Sequence, residues 1–214
     1  MHIPDGFLTG EAAALGFVPA VIGVGVCLRR AAATAREKDV PVAGLAAAFF
    51  LVGEAPFVPL TVGTNAHLLG GALAVALLGP WLGALTITTV CLIQALVFGS
   101  VGFTTLGLTI TNLALVPAFL GYPLLVALRR PLPFPLAAGI TAAISVMLAA
   151  LIFTFEMTVG ADHAIDRGTL AASILGPYAI VALIEGVLTA LIIKALLGLR
   201  PDLVRARRRE TVPA

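Results

Sequence analysis

Residues 66–99 read AHLLGGALAVALLGPWLGALTITTVCLIQALVFG, an apolar stretch divided only by Gly79-Pro80. How this stretch is cut decides the fold. As one helix it would run about 50 Å at about 1.5 Å per residue, well beyond a hydrocarbon core of about 30 Å. Split at Gly79-Pro80 it becomes two elements, 66–79 and 80–99. Outward from it, the remaining apolar runs are 11–29, 41–62, 105–128, 134–156 and 170–199. The expectation is an all-α membrane protein of seven transmembrane helices, with 66–79 short and suited to a buried half-helix.

Charge placement votes for the same cut. With seven spans, the N-terminus lies outside and the C-terminus in the cytoplasm. Arg29, Arg30, Arg36, Lys38, Arg129, Arg130, Lys194, Arg200, Arg205, Arg207, Arg208 and Arg209 then share the cytoplasmic side. Of the thirteen basic residues only Arg167 is left outside. Without the cut, Arg129 and Arg130 would face outward, against the positive-inside rule.

Composition sets the same class. Hydrophobic residues make up 60% of the chain and charged residues 11%, with a mean hydropathy of +1.09. Soluble domains hold roughly 45–50% apolar and about 25% charged residues. Residues 1–200 are expected to form one membrane domain, followed by a basic cytoplasmic tail at 201–214. That tail has two readings, a contact for anionic headgroups or a cytoplasmic partner, and a solvated end to the last span. Asp5 and Glu11 precede the first apolar run and Arg29-Arg30 follow it, the reverse of a cleavable leader. Met1 is expected to be retained, because the bulk of His2 does not suit the enzyme that trims initiator methionines. Cys27 and Cys91 sit inside apolar runs and read as small hydrophobes, not as a disulfide or a zinc site.

The opening Met1-His2 carries chemistry. A free α-amine, the His2 amide nitrogen and His2 Nδ1 can bind one ion through a five-membered ring fused to a six-membered ring. The amide must lose its proton, which Ni(II) or Cu(II) readily achieves. Three nitrogens in a plane leave one corner open, and a second imidazole closes it. Pro4 has no amide hydrogen and so ends the chelate there. His67 begins the short 66–79 element, on the same external side as the N-terminus. The metal ligands expected are therefore Met1, His2 and His67.

Other polar groups at membrane depth are functional candidates by their cost alone. Asn65 and Gln94 are candidates to orient an imidazole from behind. Glu54 and Glu185 have two readings, an ion or proton relay and a structural partner for polar groups in the bundle. His163, among Glu156, Asp162, Asp166 and Arg167, reads as an ion-attracting vestibule or as a solvated loop. Ser100 lies in the glycine-rich break 98–107, read as an external loop. Gly23 and Cys27, Ala43 and Ala47, and Gly79 and Gly83 are small residues four apart, a spacing that lets helices approach.

Met1-His2-Ile3-Pro4-Asp5-Gly6-Phe7-Leu8 resembles the opening of the CbiM/NikM family, the substrate-binding (S) components of energy-coupling-factor transporters for cobalt and nickel. Ala66-His67-Leu68-Leu69-Gly70, Leu78-Gly79-Pro80, Gln94-Ala95-Leu96-Val97-Phe98-Gly99 and Thr104-Thr105-Leu106-Gly107 are similar to it as well, and the likeness covers residues 1–200. It implies a seven-helix protein whose N-terminus threads into the place where vitamin-binding relatives hold their ligand. The implied ligands are the Met1 amine, the His2 amide and imidazole, and His67, for Ni(II) or Co(II) as transported substrate. A departure stands at Ser100, where family members often carry a histidine.

The resemblance also implies partners: a transmembrane coupling (T) subunit, two cytoplasmic ATPases and, in some assemblies, a small accessory membrane subunit. Ala43 and Ala47 are similar to the small-residue face offered to the coupling subunit. The implied location is the cell (inner or cytoplasmic) membrane, with the lipid bilayer and no nucleic acid as surroundings. No G-x-x-x-x-G-K-[ST] phosphate loop occurs, so ATP hydrolysis is expected in partners and the chain itself is not expected to be an enzyme. No H-E-x-x-H helix motif supports an intramembrane metalloprotease. The alternative function is a stand-alone secondary transporter or channel for a divalent cation, using Glu54 and Glu185.

Overall fold

The computed structural model describes residues 1–55, 58–59, 65–161 and 166–204. An N-terminal segment leads into α1 (Gly10–Thr34), and a short turn leads to α2 (Asp39–Gly53). Two paired strand fragments, Val58–Pro59 and Asn65–Ala66, precede α3 (Gly71–Leu78) and α4 (Pro80–Leu96). Then come α5 (Leu106–Leu128), α6 (Phe134–Gly160) and α7 (Arg167–Leu199). Four of these, α1, α5, α6 and α7, are long and apolar enough to cross a membrane.

Local chemistry sets the boundaries. Thr9 caps α1 by accepting from the Ala12 N–H at 3.3 Å, and Asp166 caps α7 by accepting from the Thr169 N–H at 2.8 Å; such caps satisfy donors that the first turn leaves open. Gly79 takes φ 82° and Pro80 starts α4 directly behind it. The left-handed glycine stops one helix and the proline, whose missing N–H is no loss at a first position, begins the next. The 41–62 run does not continue as helix: α2 ends at Gly53. Pro56 disfavours helical geometry at Ala55, so hydropathy outruns the backbone here.

Small residues set the packing distances. A Cβ on Gly83 would lie 2.8 Å from the Ala74 backbone, so α3 and α4 fold back on each other in close contact. Gly139 and Gly186 bring α6 and α7 together, each within 3.0 Å of the other's carbonyl oxygen at its missing Cβ. Gly107 approaches the Gly16 carbonyl to bring α5 against α1. Between elements already apolar in a membrane, such close approach supplies the dispersion contact that water exclusion supplies elsewhere. Large apolar residues such as Leu15, Val21, Leu183 and Leu191 point outward.

α3 is too short to span and is almost wholly buried, with Ala74 at 0% exposure. Its first residue abuts α5 where that helix widens into π-helical turns, Thr111–Leu115 and Pro117–Gly121. Pro117 removes an N–H from the ladder, and the wider turn accommodates the loss. A Cβ at Gly71 would collide with the Leu113 carbonyl oxygen. Gly71→Ala is therefore expected to destabilise the protein by about 1–3 kcal/mol or more, read as a lower melting temperature in detergent. An unchanged melting temperature would show that α3 does not seat this closely on α5.

Candidate metal centre

Residues 1–9 form a strap held at several points. Leu8 bridges Ala161, and the Thr9 N–H donates to the Gly160 carbonyl at 2.8 Å. Asp5 accepts from the Phe103 N–H at 3.0 Å and the Thr104 N–H at 2.8 Å, and from the Thr104 hydroxyl as well. The Thr104 hydroxyl, with the two amides, holds the Asp5 carboxyl below its ordinary range. The Thr105 hydroxyl donates to the Ile3 carbonyl. Gly102 leaves room for that carbonyl: a Cβ there would be 2.6 Å from it. The 98–107 break thus acts as the receptor for the strap, a role its glycines and threonines do not announce in isolation.

The strap drives its first residues into the bundle, where Met1 is 1%, His2 7% and His67 3% exposed. The Met1 amine nitrogen lies 3.2 Å from His67 Nε2. His67 Nδ1 stands 2.7 Å from the Leu68 carbonyl oxygen; a ring N–H donating there leaves Nε2 with its lone pair toward the amine. The His2 and His67 rings lie with centroids 4.5 Å apart and tilted by 46°. Metal–nitrogen bonds of about 2 Å put neighbouring corners of a square about 2.8 Å apart. In a Met-His chelate the fourth ligand is the neighbour of both the amine and the His2 ring. His67 Nε2, 3.2 Å from the amine, is the candidate for that place, while the His2 ring is hydrogen-bonded to the Ser100 backbone.

Electrostatics prepares these nitrogens. Burial lowers the Met1 amine from 8.0 to about 5, and burial with the adjacent amine lowers His2 from 6.5 to about 3. Burial also holds His67 well below its ordinary range. A neutral amine and neutral imidazoles present lone pairs, the form a metal ligand requires. No cluster of three His, Cys, Asp or Glu side chains is arranged for a metal among the described residues.

The loop carrying His67 is fixed from α7. Glu185 accepts from the Leu69 N–H at 2.8 Å and the Gly70 N–H at 3.0 Å, one on each oxygen. Gly70 adopts φ 67°, a backbone geometry that glycine tolerates. The sequence marks Glu185 only as a costly carboxylate; its two amide partners lie more than a hundred residues away. Gln94 is likewise buried, but its side-chain amide donates to Glu54 Oε2 at 3.1 Å rather than to an imidazole. Asn65 sits in the second strand fragment opposite Pro59, and the role for its side chain lies outside the described residues, as does His163. Asn112, at 0% exposure, donates to Glu156 at 2.7 Å from α5 to α6, apart from the nitrogens. Ala43 and Ala47 are half-buried on α2, beside the exposed Gly44, Leu45 and Ala48.

Residues 2–203 match the CbiM family, described as the cobalt uptake substrate-specific transmembrane region. A protein of Haloquadratum walsbyi named for metal transport is 36% identical over 95% of this chain and 93% of its own. A protein of Archaeoglobus fulgidus named for fused nickel transport is 34% identical over 97% of this chain and 69% of its own. The crystal structure of a truncated transition metal transporter superposes with a TM-score of 0.87 at 26% identity, covering 92% of this chain and 99% of that one.

Two measurements check this geometry. A basic group held below its ordinary range makes the metal-free fold less stable as pH falls, from 8.0 toward about 5 for the amine. Carbon-13 labelling of the His2 ring is expected to show the neutral form persisting at pH 5, where an ordinary imidazole is protonated; protonation near 6.5 would mean the strap is not seated. Glu185→Gln turns one acceptor into a donor facing an N–H. It is expected to raise hydrogen exchange at Leu69 and Gly70 and to remove about 1–3 kcal/mol of stability; unchanged protection would mean the loop is held by something else.

Proposed function

The chain belongs to the CbiM family, the cobalt uptake substrate-specific transmembrane region, and from that premise we propose that it captures Ni(II), with Co(II) as the second candidate, at the outer face of the cell membrane. It is a multi-pass membrane protein of a nickel and cobalt transport family. In this reading it is the substrate-specificity subunit of an energy-coupling-factor uptake transporter. The observation that carries the proposal is the Met1 amine 3.2 Å from His67 Nε2, with the His2 ring alongside.

The chemistry follows from the donors. A hydrated ion reaches the site, and its water is replaced by the Met1 amine, the His2 amide, the His2 ring and His67. The amide gives up its proton to the ion's field, so a doubly charged ion is held with a net charge of one. Planar nitrogen donors favour Ni(II) over Mg(II), Ca(II) or Zn(II), while Cu(II) binds at least as well by intrinsic affinity. Selection against copper then rests on availability. The Asp5 and Glu185 contacts fix the two halves of the site before the ion arrives, so little ordering is left to be done on binding.

Capture is separate from energy supply. The chain is read as a non-enzyme, with two cytoplasmic ATPases and a coupling subunit supplying the work. The α2 face around Gly44, Leu45 and Ala48, flanked by Ala43 and Ala47, is the surface assigned to the coupling subunit. Seven spans with the N-terminus outside and the basic residues in the cytoplasm complete this reading, supported by the positive-inside distribution.

Calorimetry on purified protein tests it. Tight one-to-one Ni(II) binding is expected, weakened by at least about a hundredfold both in His67→Ala and in protein carrying one added glycine before Met1. Full affinity in the extended protein would remove the amine from the site. Metal flux through liposomes containing this chain alone would instead support a permease.

A further inference from the structure

Between the C-terminal half of α2 and the middle of α7 runs a crevice of about 60 Å³. α2 packs on α4 and touches α3, while α7 packs chiefly on α6, so the two helices leave a gap where they face each other. Phe49, Phe50, Leu68, Leu188 and Ile192 make its walls almost wholly apolar. Glu54 and Glu185 also border it, yet their oxygens serve other partners. Glu185 accepts the Leu69 and Gly70 N–H groups, and Glu54 Oε2 accepts from Gln94. A water needs about two to four polar partners, so a crevice lined in this way stays dry.

The mouth of the crevice opens toward lipid. Phe49 and Leu188 line it and are exposed, as are Val52, Val187 and Leu191 beside them. Walls that face a void lose dispersion contacts, and a hydrocarbon chain at the mouth restores them. The headgroup end is marked as well. Lys38 caps the start of α2 with helical backbone angles and is exposed. Lys38, Val42, Phe49 and Gly53 lie along one stripe of the helix, with Phe49 about 16 Å beyond Lys38 at about 1.5 Å per residue. One leaflet of a hydrocarbon core of about 30 Å is about 15 Å deep. A phospholipid whose phosphate meets Lys38 therefore reaches the crevice with its chain. Gly44 and Ala48, on the face assigned to the coupling subunit, lie on the other side of α2.

We propose that this crevice is a lipid site, holding one acyl chain of a bilayer phospholipid whose anionic headgroup sits at Lys38. The chain lies against Phe50, whose ring rests on Gly70: Phe50 Cδ1 is 2.6 Å from where a Gly70 Cβ would stand. A seated lipid thus props α2 against the loop that carries His67. At the cost per unit volume of an unfilled void, closing about 60 Å³ favours occupancy about tenfold. One lysine at the headgroup level favours an anionic lipid about fivefold.

Crystals grown from a lipid mesophase doped with chain-brominated phosphatidylglycerol test the site, with anomalous scattering locating the bromine. A peak between Phe50 and Ile192 is expected. No peak there, or a side chain of a neighbouring copy in its place, overturns the proposal. Gly53→Leu fills the crevice from α2, where an added Cβ meets nothing within 4 Å, and is expected to abolish the peak. A peak unchanged in Gly53→Leu overturns the site. Native mass spectrometry of wild-type protein released from nanodiscs of equal phosphatidylglycerol and phosphatidylcholine reads the headgroup. One phosphatidylglycerol per chain is expected, retained about fivefold over phosphatidylcholine, with Lys38→Gln making the two equal. Equal retention by the wild type, or a preference that survives in Lys38→Gln, overturns the place given to Lys38.

Discussion

The structure depends on the burial of its own first amine. A chain terminus is ordinarily charged and solvated, and placing it at 1% exposure beside an imidazole is unfavourable unless the charge is given up and the segment is tied down. Both conditions are met. Burial removes the proton from the amine, lowering it to about 5, and the strap is held by Asp5, Ile3, Leu8 and Thr9 through backbone and side-chain bonds. The unfavourable burial yields a neutral amine and a neutral imidazole 3.2 Å apart.

Two carboxylates do the holding, from opposite ends of the sequence. Asp5 grips the amides of the 103–104 turn, and Glu185 grips the amides of Leu69 and Gly70. Each uses an acceptor against main-chain N–H groups that no helix satisfies. One carboxylate therefore stabilises a local turn and also fixes one half of the centre: Asp5 the strap, Glu185 the His67 loop. α3 is the platform for this arrangement. It is short because Gly79-Pro80 ends it after eight residues, and it is seated through glycine against the widened turns of α5.

A membrane setting explains the unequal cost of different parts. Apolar side chains on α1 and α7 can face lipid freely, so their identity is weakly constrained. Polar groups such as Glu54, Gln94 and Asn112 must find one another, and they do so across helices: Gln94 to Glu54, Asn112 to Glu156. The backbone is equally demanding, and the irregular stretch from His67 to Gly70 is tolerated because protein groups surround it.

Much was legible in the residue order. Apolar runs located the long helices, Gly79-Pro80 located the α3–α4 break, and Met1, His2 and His67 were chosen by coordination chemistry, because hydropathy and ring-forming donors are properties of residues close in sequence. The resemblance carried by Met1–Leu8 points to the family that residues 2–203 match. What residue order could not supply was contact across distance. Hydropathy continued past Gly53 where the helix stops, Gln94 was matched to an imidazole and stands instead against Glu54, and nothing near Asp5 or Glu185 in sequence shows which amides they hold. Those pairings arise only when helices pack, since a buried polar group takes as partner whichever donor the fold brings within 3 Å, however far away along the chain.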